Sequence, residues 1–148
     1  MTNSDINSLT INRHVHEALA DQFNRASTSI QLSELLDIAL TAIAQSLSGV
    51  IGNGGFDALI GRTVFLCAPV ASWLHVLHAE DGRRVHLSLV GPLFAAQSRD
   101  DAVTAASLLV KTLSAVLADI VGPSLAERLL QPVLEVFFNV DVAKGVRA

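Results

Sequence analysis

The chain has 148 residues, 51% hydrophobic and only 16% charged, with a net charge of −4; that length can bury a core without disulfides or a structural metal, and the lone Cys67 leaves no intramolecular disulfide to form. Lys and Arg are scattered apart from Arg83-Arg84, and six Phe with one Trp and no Tyr offer little for bases to stack on, so nucleic acid is excluded as an expected partner. The polar start Met1-Thr2-Asn3-Ser4-Asp5 lacks the basic and apolar regions of a signal peptide, so the expected compartment is a reducing cytoplasm.

Residues 1–10 are polar and read as a flexible tail, followed by one helical domain over 11–140 and a second short tail over 141–148. Ile11, Val15, Ala18, Leu19, Gln22, Phe23 and Ala26 recur at three-to-four spacing, which predicts an amphipathic helix over 11–26. Leu32, Leu35, Leu36, Ala39, Leu40, Ile43 and Leu47 mark the face of a second helix. Thr28-Ser29-Ile30-Gln31 matches a capping box at its start, and Gly49 or Gly52 supplies a stop.

After Gly52-Asn53-Gly54-Gly55, the spacing of Phe56, Leu59, Ile60, Val64, Cys67, Val70 and Leu74 predicts a third helix over about 55–74, kinked or ended by Pro69. Thr63 to Cys67 reads equally well as a buried strand. From 75 to 97 the helical period fades, and Asp81-Gly82 between apolar runs predicts an irregular connector or a β-hairpin, with Val85 to Val90 as its second strand. Ser98 followed by Asp100 and Asp101 opens a long helix over about 100–121, apolar around most of its circumference except for a strip through Thr104, Ser107, Lys111 and Ser114. Gly122-Pro123 introduces a last helix over 123–138, with an interruption expected near Arg128 to Gln131 because Pro132 removes an amide donor. The fold class is therefore an all-α bundle of four to five helices with one irregular or hairpin insert at about 75–97. An α+β arrangement around 63–67 and 85–90 is the alternative.

Two runs without Asp, Glu, Lys or Arg, Ile38 to Phe56 and Thr63 to Ala79, approach the length of a membrane span. The Gly, Ser, Asn and Gln of the first and the Pro69, His75 and His78 of the second argue against insertion.

Few residues suggest chemistry. His75, His78, Glu80 and His86 are of metal-ligand type, but a helix or a hairpin would gather only some of them, so they read as loop histidines and no metal or cofactor is expected. His14 and His16 lie two apart, a spacing that separates them by more than half a turn of helix, and read as separate surface residues. Cys67 in an apolar run reads as inert packing. The glycines at 52–55 lack the Lys and Ser/Thr of a phosphate loop. Asp100 and Asp101 read as caps, and Glu127 and Glu135 as solvated carboxylates on a wet face, with no acid–base pair.

No catalytic motif emerges. The apolar surplus, above all on 100–121, points to a non-catalytic binding or self-association module that buries it in a homo-oligomer or a protein partner. The alternatives are a small-molecule or metal site between helices, and peripheral membrane association, which lacks the usual basic face.

Overall fold

The computed structural model describes residues 14–78 and 85–147, with side chains described as far as Phe137. The described residues form an all-α bundle. Its helices are α1 (Val15–Asn24), α2 (Ser29–Cys67), α3 (Val90–Ala95), α4 (Arg99–Val121) and α5 (Pro123–Arg147), with short 3-10 turns over Ser72–Leu77 and Leu87–Leu89.

α1 is shorter than the apolar spacing suggested, with Val15, Leu19 and Phe23 buried on its inner face. Ile11 lies outside the described residues, as does the proposed tail at 1–10. α2 starts where the capping residues place it. The Thr28 hydroxyl accepts the Gln31 amide at 3.0 Å, while the Gln31 side chain accepts the Ser27 amide at 2.7 Å, one residue earlier than an ordinary capping box would have it. All seven residues of the predicted apolar face, Leu32 to Leu47, are buried.

α2 comprises two helical stretches, as the glycine cluster led one to expect, and they meet at a kink confined to a single residue. Gly52 alone has non-helical backbone (φ 75°, ψ 171°), a region open essentially to glycine, and the helix resumes at once instead of after a four-residue break. A Gly52→Ala substitution is expected to destabilise the protein by about 1–3 kcal/mol. Gly54→Ala, in helical backbone with open space at the Cβ position, should stabilise it by about 0.4–1 kcal/mol. Denaturant unfolding of the two variants reads both signs.

The segment Thr63 to Cys67 is helical, which removes the strand alternative there. The helix closes at Cys67 and not at 74. Pro69 cannot donate to the ladder, and the Val70 and Ala71 amides both turn back onto the Cys67 carbonyl at 3.0 and 3.1 Å. In the insert, a single antiparallel bridge joins His78 to Val85, and the His86 amide donates to the Leu77 carbonyl at 2.7 Å. Asp81-Gly82 lies outside the described residues. Val85 to Val90 does not continue as a strand: Leu87, Val90 and Phe94 are spaced for a helix, and Pro92 sits in a first turn where its missing N–H costs nothing. Phe94 is fully buried and meets Trp73 edge-on at 4.9 Å, which pins the insert to the bundle.

α4 is the central helix. It packs against α1, α2 and α5, and Ala102, Val103, Ala105, Ala106, Leu109, Val110, Leu113 and Leu117 are buried. The Ser98 hydroxyl accepts the Asp101 amide at 3.1 Å and caps it; Gly122 (φ 93°) ends it. The large apolar surplus expected on this helix is mostly internal, because three neighbours divide its circumference and only Ile120 among its large apolar side chains is exposed. α5 continues through Pro132 and past residue 138. The interruption expected near Arg128 to Gln131 is absent, and the Ser46 hydroxyl of α2 donates to the Leu129 carbonyl. The helices Ser29–Cys67 and Arg99–Val121 are long and apolar enough to cross a membrane by length and composition alone, a property that the core helix of a folded bundle shares.

Candidate functional site

The polar groups that converge in this fold do so around α1. Its helix has no side-chain cap of its own at the N-terminus, because His14 occupies the cap position in extended backbone (φ −66°, ψ 146°). Glu127 of α5 takes over that role. One carboxylate oxygen accepts the Val15 amide at 3.2 Å and the other meets His14 Nδ1 at 3.1 Å, an ion pair when the imidazole is protonated. At the far end the Arg99 guanidinium donates to the Ala26 carbonyl at 2.9 Å and the Asn24 carbonyl at 2.6 Å. α1 thus has a carboxylate at its positive end and a cation at its negative end, both supplied by other helices.

This arrangement corrects two expectations. His14 and His16 do act together: their rings stack with centroids 5.4 Å apart and planes 11° from parallel. The helical spacing rule fails here because residue 14 is outside the helix. Glu127 is not an unpaired carboxylate on a wet face, since its partners come from the opposite end of the chain. No local pattern in the sequence could have signalled that pairing.

His16, Lys111 and Ser114 line a cleft of about 200 Å³ with His14 and Glu127, and a second, more open hollow of about 440 Å³ shares His16 and Lys111. Of the polar strip on α4, Ser107, Lys111 and Ser114 line these hollows beside α1, whereas Thr104 lines a separate one with Val70 to Trp73. Burial holds the His16 imidazole below its ordinary value of 6.5; Glu17 and Glu127 oppose that shift, while His14 and Lys111 add to it. The unfolded chain then takes up a proton first as the pH falls, so the contribution of His16 is intact above 6.5 and is lost through the acid side of that value. Stability measured at neutral and at mildly acidic pH should accordingly drop less in His16→Asn than in the natural protein.

The other sequence candidates are not assembled. His75 Nδ1 lies 2.6 Å from the Ser72 carbonyl, its own local cap. His78 Nδ1 is buried without a hydrogen-bond partner among the described residues, His86 is exposed, and Glu80 lies outside those residues. Among the described residues no group of three or more His, Cys, Asp or Glu side chains is placed to hold a metal ion. Cys67 is buried, with its sulfur 3.9 Å from the Leu108 carbonyl. Burial pushes its thiol up, against a smaller opposing effect from Thr112, which is the setting of an unreactive cysteine. Asp101 donates its amide to the cap, and Asp100 pairs with Arg99 at 3.0 Å. Glu135 is exposed.

No protein-family model matches the chain, and neither curated proteins nor solved structures give a significant match. Functional argument rests on the surface and the clefts themselves. Sequence reasoning placed the apolar excess on α4, whereas the two most exposed large apolar side chains, Val70 (69%) and Phe65 (64%), lie at and just after the end of α2, with Leu66 (41%) next to Phe65. The signal available was the phase of the α2 pattern, which puts Val64 and Cys67 inward and leaves Phe65 and Leu66 outside.

Proposed function

We propose that this protein is a self-association module, and that the surface formed by Phe65, Leu66 and Val70 is where two copies meet. The observation that carries the reading is the exposure of an aromatic and two aliphatic side chains within one helical turn and the turn that follows it. Interface cores are enriched in aromatic residues and depleted of charge, and here no Asp, Glu, Lys or Arg occurs from Thr63 to Ala79. The apolar side chains are complementary to themselves, as a two-fold interface requires, while exposed Arg62 on the same helix and Asp101, which shares a hollow with Val70, supply a charged rim. Light scattering on a size-exclusion column is the test. A dimer that dissociates on dilution is expected; a monomer at every concentration into the high micromolar range would refute the proposal.

A further inference from the structure

The cleft between α1, α4 and the start of α5 has two chemically different ends, and we propose that it binds a small aliphatic monocarboxylate. Towards one end lie Lys111, His16 and Ser114, with Lys111 about two helical turns from Ala118 along α4. Lys111 forms no salt bridge among the described residues. Glu127, the one carboxylate among the described lining residues, has both oxygens engaged by His14 and by the Val15 amide, so it does not compete for the lysine. At the other end the walls are the methyl groups of Ala115, Ala118 and Ala126 with the ring of Pro123. One donor-rich end and one apolar end fit a carboxylate head with a short hydrocarbon tail.

Size and charge narrow the class. The cleft holds about 200 Å³, below the roughly 300–1,000 Å³ of pockets for drug-sized ligands, which suits an acid of a few carbons. Glu17 and Asp21 line the adjoining hollow, and whatever else they contact, their negative potential disfavours a dianion beside them. A singly charged carboxylate is favoured over the phosphate dianion for that reason. The site is separate from the Phe65 surface and does not depend on self-association.

The test is a heteronuclear NMR titration of the full chain with sodium butyrate, with n-butylammonium chloride and inorganic phosphate as comparison arms. Butyrate is expected to give saturable shifts at His16, Lys111 and Ser114 and to move the His16 titration midpoint upward, because a bound anion favours the imidazolium. Lys111→Met, at an exposed position, should weaken binding about ten-fold or more by removing a charge-assisted hydrogen bond. Ala115→Leu, also exposed, should weaken it by filling the apolar end while leaving the lysine in place. Absence of saturable shifts at tens of millimolar butyrate overturns the proposal. So does equal binding by Lys111→Met, or tighter binding of butylammonium or phosphate than of butyrate.

Discussion

Phe94→Ala is expected to destabilise the protein by about 3–5 kcal/mol, the range for truncating a fully buried aromatic side chain in a core that cannot collapse around the loss. The position combines complete burial with the edge-on contact to Trp73 at 4.9 Å, and such aromatic pairs contribute about 0.5–1.5 kcal/mol beyond the area they bury. Phe94 also anchors the one part of the fold with few long helices to hold it. The 3-10 turn Ser72–Leu77 and the short α3 touch the rest of the bundle largely through Leu74, Leu77, Val90 and Phe94, all buried. Trp73 is the sole tryptophan of the chain, so its fluorescence reports on this region specifically. Denaturant titrations followed by fluorescence and by far-ultraviolet circular dichroism should shift together in the variant if the insert is part of one cooperative unit. A fluorescence transition that moves alone would show the insert to unfold independently of the helices, and an unchanged midpoint in both would show Phe94 to contribute little.

Phe65→Asp is expected to abolish self-association while leaving the fold as stable as before. Phe65 is 64% exposed in the subunit, and surface substitutions away from special features usually change stability by no more than about 0.5 kcal/mol. At an interface the same change removes an aromatic anchor and buries a charge, a loss of at least about 2 kcal/mol for a central residue, or some 30-fold in dissociation constant. The two effects separate cleanly: thermal unfolding extrapolated to low concentration should coincide for the two proteins, whereas light scattering at high concentration should differ. A variant that still dimerises with unchanged affinity would place the interface elsewhere, with Ile120 and Ile30 as the next most exposed apolar side chains after Val70.

The helices were legible from the sequence to different degrees. α2 and α4 could be read with their caps, because amphipathic spacing and Ser or Thr at the N-cap are local properties that the surrounding fold does not override. The irregular insert was legible as irregular, but its content was not. Val85 to Val90 has the composition of a strand, and only packing against α2 decides that Val90 and Phe94 are buried as a helical pair. The break between the two stretches of α2 was legible but its length was not: four polar or glycine residues in a row suggest a loop, while one residue in a glycine-specific conformation is enough to redirect the axis.

The candidate cleft was almost wholly illegible. Its members, His14, His16, Lys111 and Glu127, come from three helices at opposite ends of the chain, and each taken singly is an ordinary surface residue. Only the strip of polar residues on α4 carried a local trace of it, as a polar seam on an otherwise apolar helix.

By itself, the sequence determined most of the helical segments, the N-caps at Thr28 and Ser98 and that the chain has more apolar surface than a minimal bundle requires, since these follow from spacing and composition within a few turns. The tertiary structure alone decided where that excess emerges, at Phe65 and Val70 and not along α4, and which charges meet across α1. Both depend on how many neighbours surround each helix, a quantity set by the packing of distant segments and carried by no stretch of the chain in isolation.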